Sequence, residues 1–543
     1  MKNTFSKKLT AVFFAVVSVF AFSCKTVPAG QENSSIVVLY TNDVHCGVED
    51  AIGYAGLELY KKQMLKETPY VTLVDAGDAI QGATFGNISK GENIVKIMNK
   101  MNYDVAVPGN HEFDYGMKQF MKLSKFLKCG YVSSNFRMTK NGKLVFPAYK
   151  IIKYGKKKVA YVGVSTPETF TKSTPAYFQD AEGNFAYSFG GENEGKKIYA
   201  DVQEAIDSAR GKGADYVVLV AHLGNSDITA GWTSSDIIAN VSGADVLLDG
   251  HSHEVVPAVK VQDKSGKDVI VSQTGTKLNH IGKLVITSDG AISTELVDSV
   301  ADENGNTRDA EMSSFIESIK NEFEATLAKK IAHTDFVLSA VDEKGDWLVR
   351  TNQTNLGDLV TDAIKWHFKS DVALMNGGGL RANIKPGDIT YNDALTVLPF
   401  GNKLYMSEVK GQVLLDELEY AVRMLPAKSG GFFHVAGMTF KIDTSIPSST
   451  VTDENKFFAG VNGAYRIHDV LINGQPLDVE KMYKVGSIDY VLKNEGDGHI
   501  FAGSKMLVDD PTLVCDALAD YISSFGGNVP ASYKESQNRI VIE

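Results

Sequence analysis

The sequence predicts an α/β protein with two domains and a helix between them, on three observations. The chain has 543 residues, more than a single hydrophobic core ordinarily serves. In the first half, short β-branched runs alternate with helical stretches, which is typical of βαβ units whose sheets are covered on both faces. The second half carries helices and glycine-rich turns of its own, so we expect a second compact domain there.

The N-terminus has the layout of a bacterial export signal. Basic residues precede an apolar run from Leu9 to Phe22, which is too short to span a bilayer comfortably. Cys24 closes this run, and the segment resembles a lipobox, whose cysteine becomes the lipidated first residue of the mature chain. We expect a signal peptide at 1–23, a tether at 24–35 and a lipid anchor in the cell envelope, with periplasmic or secreted export as the alternative.

Six apolar runs define the predicted strands of the first half: 36–40, 70–76, 104–108, 157–165, 215–222 and 244–251. Most of them are followed at once by histidine, aspartate or asparagine. Because ligands of open α/β folds gather beyond the carboxyl ends of the strands, we expect these side chains to meet in one cleft. The seven candidates are Asp43, His45, Asp78, Asn110, His222, His251 and His253.

These residue types indicate a metal centre. Divalent metals used for hydrolysis take imidazole nitrogen and carboxylate oxygen and leave a position open for water. Asp43 and His45 are two residues apart, as are His251 and His253, so each turn can direct two side chains to the same side. Asp78 closely follows a predicted strand and is placed to bridge two ions.

The region after the first domain carries a helical stripe and a glycine-rich turn. The stripe comprises Met312, Phe315, Ile316, Ile319, Phe323, Leu327 and Ile331. Its spacing predicts a helix between the domains over 309–331. The turn "NGGGLRAN" contains Gly378 and Arg381; glycine lets the backbone approach a ligand, and the planar guanidinium suits phosphate or carboxylate.

The composition excludes several classes of function. Apolar residues make up 43% and charged residues 22% of the chain, as in folded globular proteins. The formal net charge of -11 argues against binding to a nucleic acid polymer, since phosphate backbones are held by clustered Lys and Arg. No feature indicates a protein partner. Cys46, Cys129 and Cys515 show no metal-type spacing and imply no disulfide framework.

The motifs carry a family resemblance over nearly the whole mature chain. "TNDVHCG", "DAGDAIQG", "GNHEFD", "VAHLG" and "GHSHE" resemble, in this order, the blocks of calcineurin-like metallophosphoesterases, specifically the 5'-nucleotidase and UDP-sugar hydrolase family. "NGGGLRANI" and "LPFGN" resemble that family's C-terminal domain. The resemblance implies a four-layer α/β/β/α metallophosphoesterase domain at 36–305, an interdomain helix at 306–340 and an α+β nucleotide-binding domain at 341–543.

Carried over residue by residue, the resemblance implies two divalent metal ions. One would bind Asp43, His45, Asp78 and His253, and the other Asp78, Asn110, His222 and His251, so that Asp78 bridges them. His253 stands where several family members carry Gln or Asn, and imidazole is a softer ligand than an amide oxygen. The expected metal is therefore left among zinc, manganese and cobalt.

The turn "GNHEFDYG" places His111 beside the expected ligand Asn110. Two divalent ions about 3.5 to 4 Å apart lower the pKa of a shared water and clamp phosphoryl oxygens, so a further group has to meet the charge on the leaving oxygen. An imidazole can do so, and Asp114 can hold that ring in one tautomer. We predict that His111 and Asp114 are catalytic, and that Glu112 is a solvated or helix-start carboxylate.

The resemblance also implies the substrate-binding residues of the second domain. They are Arg350, Asn376, Gly378, Arg381, Phe400, Asn402, Tyr490 and Asp497. The two arginines would contact phosphate, and Asn376 the base or ribose. Phe400 would stack on the base beside Asn402, with Tyr490 as the candidate second stacking aromatic. Asp497 would accept hydrogen bonds from ribose hydroxyls.

The leading hypothesis is an exported, lipid-anchored enzyme with two metals. It would release phosphate from nucleoside 5'-monophosphates by attack of a metal-activated water. A 2',3'-cyclic nucleotide phosphodiesterase or UDP-sugar hydrolase would use the same centre and stays an alternative. A non-catalytic surface binding lipoprotein is the alternative of a different class, and it would be expected to have lost metal ligands or His111, which are all present.

Overall fold

The structure is a computed structural model, and it describes residues 23–25, 34–180, 183–192, 195–225, 231–453 and 455–543. Apart from a short strand at Ser23–Lys25, the export signal and most of the tether expected before residue 36 lie outside the described residues. The side chain of Cys24, the expected lipidation site, lies outside them as well. Within the described ranges, no helix is both long and apolar enough to cross a bilayer.

The first half forms two β-sheets, and all six predicted strands are present. The first sheet has five strands. Its parallel neighbours are Ile36–Thr41, Val71–Asp75 and Val105–Ala106. The other two strands are Ile281–Ile286 and Ile292–Val297. The second sheet has seven strands. Its parallel neighbours are Lys157–Ser165, Tyr216–His222 and Val246–Leu248. The other four strands are Ser23–Lys25, Tyr149–Tyr154, Asp268–Thr274 and Val255–Gln262. Arg137–Met138 pairs with Tyr187–Ser188 at the side.

The two sheets pack face to face, and helices cover both outer faces. Val38 and Val74 of the first sheet share one buried cluster with Tyr161 and Val218 of the second. The first sheet is covered by the helices Gly53–Glu67, Glu92–Met101, Met117–Phe126 and Ala310–Lys320. The second sheet is covered by the helices Lys196–Gly211 and Ser234–Asn240. These layers confirm the predicted α/β/β/α order, in which apolar strands lie between two covered faces.

The helix predicted over 309–331 ends early, and that prediction is wrong beyond Lys320. Asp309 caps the helix Ala310–Lys320 by accepting a hydrogen bond from the backbone N–H of Met312. A short helix, Glu324–Leu327, follows, and Ile331 lies in the strand Lys330–Thr334. That strand pairs with a distant one, Gly387–Thr390, so a partner elsewhere in the chain overrides the local helical spacing.

The second half has one core around a five-stranded sheet. Its strands are, in spatial order, Phe433–Ala436, Val372–Asn376, Met482–Ile488, Lys403–Lys410 and Lys505–Leu513. Asn355–Phe368, Tyr391–Val397, Gly411–Ala421, Asp489–Leu492 and Val514–Ser523 are helical. A smaller sheet contains Gln475–Pro476, Ile467–Ile472, Met438–Ile442 and Ile540–Ile542, and Thr450–Thr452 pairs with Phe458–Val461. This arrangement confirms the predicted α+β domain.

His434 is a titratable group buried in this second core. Its Nε2 lies 3.0 Å from the carbonyl oxygen of Val349, and burial lowers the pKa of His434 from 6.5 to about 4. The unfolded chain therefore binds a proton below about pH 6.5 that the folded protein takes up only near pH 4. The stabilising contribution is complete above pH 6.5 and is lost as the pH falls through this window.

We expect the free energy of unfolding to lose about 2 kcal/mol between pH 7 and pH 5 through His434, at about 1.36 kcal/mol for each pKa unit. His434→Gln keeps a donor for the Val349 carbonyl and does not titrate, so it should remove this part of the pH dependence. Urea unfolding of both proteins at the two pH values measures the difference. An equal loss in both proteins would show that His434 does not carry the effect.

Candidate metal centre and cleft

The predicted ligand residues stand just beyond, or at, the carboxyl ends of five parallel strands. Asp43 follows Ile36–Thr41, and Asp78 follows Val71–Asp75. Asn110 follows the short strand Val105–Ala106, His222 ends Tyr216–His222, and His251 follows Val246–Leu248. Because the two sheets pack face to face, these strand ends meet at one edge of the first domain.

The backbone at most of these residues is left-handed. The φ angles are +49° at Asp43, +46° at His45, +58° at Asp78, +80° at His251 and +58° at His253. Such angles are uncommon outside glycine, and each costs about 1 to 3 kcal/mol. The strand ends also require close approach, because a Cβ on Gly109 would lie 2.3 Å from Oδ1 of Asp78.

One group of ligand atoms surrounds the first side of the centre. Nε2 of His45 lies 3.1 Å from Nε2 of His253. Oδ1 of Asp43 lies 3.3 Å from the same His253 nitrogen and 3.8 Å from Nε2 of His45. Asp78 closes the group, with Oδ2 at 3.8 Å from Nε2 of His45.

A second group shares Asp78 with the first. Oδ2 of Asp78 lies 3.1 Å from Nε2 of His222. The amide oxygen of Asn110 lies 3.2 Å from that nitrogen and 2.9 Å from Nδ1 of His251. One oxygen of Asp78 therefore faces both groups, and all seven predicted ligands are brought together.

Hydrogen bonds indicate which nitrogen is available in three of the four imidazoles. Nδ1 of His45 lies 3.0 Å from the carbonyl oxygen of Gln81, and Nδ1 of His222 lies 2.8 Å from that of Ala76. A carbonyl only accepts, so these Nδ1 atoms carry the proton and Nε2 is the lone-pair atom. In His251 the order is reversed, because Nε2 lies 2.7 Å from the Glu168 carboxylate and Nδ1 faces Asn110.

The donor set fits divalent metal. Oδ1 of Asp43 is buried and has no hydrogen-bond partner among the residues that the structure describes, although Oδ2 accepts from the backbone N–H of His251 at 2.8 Å. Burial alone raises the pKa of Asp43, but His253 and His222 bring it down to about 2. A buried anionic oxygen surrounded by imidazole nitrogens fits a cation, and carboxylate with imidazole suits zinc and similar metals.

His111 and Asp114 form a hydrogen-bonded pair at the rim of the centre. Nδ1 of His111 lies 2.6 Å from Oδ2 of Asp114, and the hydroxyl of Ser173 donates to the other Asp114 oxygen at 2.8 Å. Burial lowers the pKa of His111, but the carboxylates of Asp114 and Asp78 outweigh it and raise the pKa above its usual value. The pairing leaves Nε2 of His111 as the atom available for the cleft.

Glu112 differs from its prediction as a solvated or helix-start carboxylate. Only 1% of it is exposed. Its carboxylate accepts hydrogen bonds from the backbone N–H groups of Asp78 at 2.8 Å, Ala79 at 2.8 Å and Gly109 at 2.7 Å. Glu112 thus ties together two of the loops that bear predicted ligands, which a local pattern cannot reveal because two of its donors, Asp78 and Ala79, follow another strand.

The second domain supplies the opposite wall of the cleft. The guanidinium carbon of Arg350 lies 4.8 Å from the centre of the Trp347 ring, and that of Arg381 lies 5.4 Å from it. Arg381 is also 5.4 Å from the Phe400 ring. The Phe400 ring lies 5.6 Å from that of His111, so the two domains meet across the cleft.

The cleft is a cavity of about 520 Å³. The predicted substrate residues all line it: Arg350, Asn376, Gly378, Arg381, Phe400, Asn402, Tyr490 and Asp497. Trp347, Glu168 and Lys172 line it too, and sequence reasoning missed them. Trp347 could have been noticed three residues before Arg350, whereas Glu168 and Lys172 belong to no motif.

The hydroxyl of Tyr490 forms two hydrogen bonds. Its hydroxyl donates to the carbonyl oxygen of Thr171 at 3.1 Å and accepts from the backbone N–H of Asp497 at 3.0 Å. Its ring packs so closely on Gly496 that a Cβ there would lie 2.3 Å from a ring carbon. The phenol therefore joins the first domain to the turn that carries Asp497.

Comparisons with known proteins cover nearly the whole chain. The sequence model of the calcineurin-like phosphoesterase family matches residues 36–255, and that of the 5'-nucleotidase C-terminal domain matches 330–504. The trifunctional nucleotide phosphoesterase protein YfkN of Bacillus subtilis is 27% identical over 522 residues, which cover 86% of this chain but only 32% of that longer protein. A 5'-nucleotidase of Vibrio cholerae is 27% identical over 578 residues, covering 95% of this chain and 96% of the relative.

The fold is also that of a solved structure. The 5'-nucleotidase precursor from Thermus thermophilus superposes with a TM-score of 0.76 at 24% identity, over 94% of this chain and 99% of the other.

The four-layer domain with its histidine and carboxylate cluster defines a metallophosphoesterase, a class that uses divalent metals. The two matched stretches together cover well over half of the chain, and the protein belongs to the family of calcineurin-like metallophosphoesterases with a 5'-nucleotidase C-terminal domain. It is a hydrolase of that family.

Proposed function

We propose that the protein is an exported phosphohydrolase with two metals that releases phosphate from nucleoside 5'-monophosphates. One observation carries this proposal: a single cavity of about 520 Å³ is lined by four of the predicted metal ligands on one wall and by Arg350, Arg381 and Phe400 on the other. The four are Asp78, Asn110, His251 and His253. A nucleotide has a phosphate at one end and a stacking base at the other, and this cavity offers a partner for each.

The two groups of ligand atoms would each hold one ion, with Asp78 shared between them. When bound, two such ions lower the pKa of a shared water and neutralise charge on the phosphoryl oxygens. The guanidinium groups of Arg350 and Arg381 bind and orient the phosphate, since a planar fork pairs with two of its oxygens.

His111 would handle the proton of the leaving group. Water supplies the fourth oxygen of the released phosphate, and the bond from phosphorus to the 5' oxygen breaks. His111 donates a proton from Nε2 to that 5' oxygen, so that the nucleoside leaves as an alcohol. Asp114, with Ser173 behind it, keeps the ring oriented and stabilises its protonated form.

Selectivity for a nucleoside would come from the second domain. Phe400 stacks on the base, and Asn376 and Asn402 offer polar contacts beside it. Asp497 accepts hydrogen bonds from the ribose hydroxyls. Tyr490 remains our candidate for the second stacking aromatic, and it lines the cavity.

The site of action would be the cell envelope. Support comes from the N-terminal sequence, in which an apolar run ends at Cys24. We propose removal of residues 1–23 and lipidation of Cys24, so that the enzyme meets nucleotides outside the cytoplasm.

We expect metal-stripped protein to release no phosphate from nucleotides and to recover when Mn, Zn or Co is restored, because two such ions are what lowers the pKa of the attacking water. The measurement is phosphate release from AMP, 2',3'-cyclic AMP and UDP-glucose with each metal added separately, Mg included. Preference for AMP supports the proposal. Faster cleavage of the cyclic nucleotide or of the UDP-sugar would select the other chemistry, and inertness with every metal would leave a binding protein.

A further inference from the structure

Residues 168–173 of the first domain, which we call the crossing segment, contact two parts of the catalytic apparatus. The Glu168 carboxylate accepts a hydrogen bond from Nε2 of His251 at 2.7 Å. Ser173 donates its hydroxyl proton to Asp114 at 2.8 Å. The crossing segment is therefore fixed at both ends by groups that orient a candidate metal ligand and the candidate acid.

The middle of the crossing segment reaches the second domain. The carbonyl oxygen of Thr171 accepts from the hydroxyl of Tyr490 at 3.1 Å. Nζ of Lys172 lies 3.3 Å from Oδ1 of Asp497. These two contacts place a cation of the first domain beside the carboxylate that we assign to the ribose.

Asp497 is held in a demanding conformation. Its φ is +55°, and such a backbone is uncommon for any residue but glycine. Asn376 donates to Oδ2 at 2.9 Å, and a Cβ on Gly430 would come within 3.2 Å of Oδ1. The carboxylate is thus fixed by Asn376 on one oxygen and by Lys172 on the other.

The charge on the Asp497 carboxylate depends on Lys172. Burial by itself raises the pKa of Asp497, and Lys172, followed by His499, turns the net effect downward so that the pKa lies below its usual value. The Lys172 side chain is 27% exposed whereas that of Asp497 is only 5% exposed. Both residues line the cavity, so a ligand there lies beside both groups.

We propose that Lys172 determines the preference of the cleft for substrates that carry ribose hydroxyls. Its ammonium holds the Asp497 carboxylate as an oriented anion, which accepts hydrogen bonds from the ribose hydroxyls. The inference rests on the proposed function, because it assumes that the nucleotide lies with its phosphate at the metal-ligand cluster. Without Lys172 the carboxylate would lose the partner of Oδ1 and would turn away or become protonated.

The test compares the metal-loaded wild type with Lys172→Met and with Lys172→Arg, which keeps the charge. The readout is kcat/KM for AMP divided by kcat/KM for phenyl phosphate, an ester without ribose. We expect this ratio to fall about tenfold in Lys172→Met, the size of one charge-assisted hydrogen bond. Lys172→Arg should restore most of it. A matched fall for both esters would mean that Lys172 only joins the domains, and would overturn the proposal.

A second measurement does not depend on turnover. Calorimetry with metal-free protein should show tighter binding of adenosine than of 2',3'-dideoxyadenosine, and Lys172→Met should remove most of that difference. An unchanged difference would overturn the proposal. If wild-type protein released no phosphate from AMP yet showed this Lys172-dependent preference, the proposed function would fail while the assignment of Lys172 to a ribose subsite would stand.

Discussion

Replacing His111 with alanine is expected to lower kcat for AMP by about 10² to 10⁴-fold, the usual contribution of a positioned general acid. His111 is not among the seven predicted ligands, so the bound metal should remain. The measurements are kcat and metal content of the same preparation. His333→Ala is a matched control, because that imidazole lies on the strand Lys330–Thr334, away from the cleft, and should leave turnover as it is.

The nature of the leaving group sharpens this test of His111. Loss of a proton donor matters most when the leaving oxygen is strongly basic, as the 5' oxygen of a nucleoside is. With p-nitrophenyl phosphate the phenolate departs without a proton, so the loss in the variant should be much smaller. Unchanged AMP hydrolysis at full metal content would show that the role assigned to His111 is wrong.

Replacing Glu112 with alanine is expected to damage the centre without removing a ligand. Three buried N–H groups, on Asp78, Ala79 and Gly109, would lose their shared acceptor, and each such loss costs about 1 to 3 kcal/mol. We expect the free energy of unfolding to fall by about 3 to 5 kcal/mol. Metal affinity should fall by about 10 to 100-fold, as when a group that supports ligands is removed.

Urea unfolding of metal-free protein measures the first effect of the Glu112 substitution, and competition with a chelator measures the second. Glu112→Gln is the matched variant, because it keeps the shape and one acceptor oxygen but turns an N–H group toward another donor. It should lie between wild type and Glu112→Ala. Wild-type stability in Glu112→Ala would mean that the loops do not depend on this carboxylate.

The strands could be predicted, and candidate ligands at their ends singled out, because both are local signals in the sequence. An apolar run followed by Asp, Asn or His is legible without knowledge of the rest of the chain, and parallel sheets then bring such ends together. The same logic explains why the four-layer order was accessible, since buried strands on both faces require covering helices.

What could not be predicted depends on distant partners. The proposed role of Lys172 depends on its contact with Asp497, which is far along the chain. The role of Glu112 depends on backbone N–H groups that follow another strand. The stripe ending at Ile331 has helical spacing, yet Ile331 lies in a strand whose neighbouring residues pair with Ile389 and Thr390. In each case one end of the pattern is visible in the sequence, whereas the partner is set only by the fold.

The left-handed backbone at Asp43, His45, Asp78, His251 and His253 has a consequence for how the protein can change over generations. Glycine would relax the backbone strain at every one of these turns. At these positions, substitutions that stabilise the fold would therefore remove the side chains that the proposed chemistry needs. A copy released from selection for its chemistry would gain stability by filling these five positions with glycine. The imidazoles and carboxylates that stand there instead are maintained at the expense of the fold that carries them.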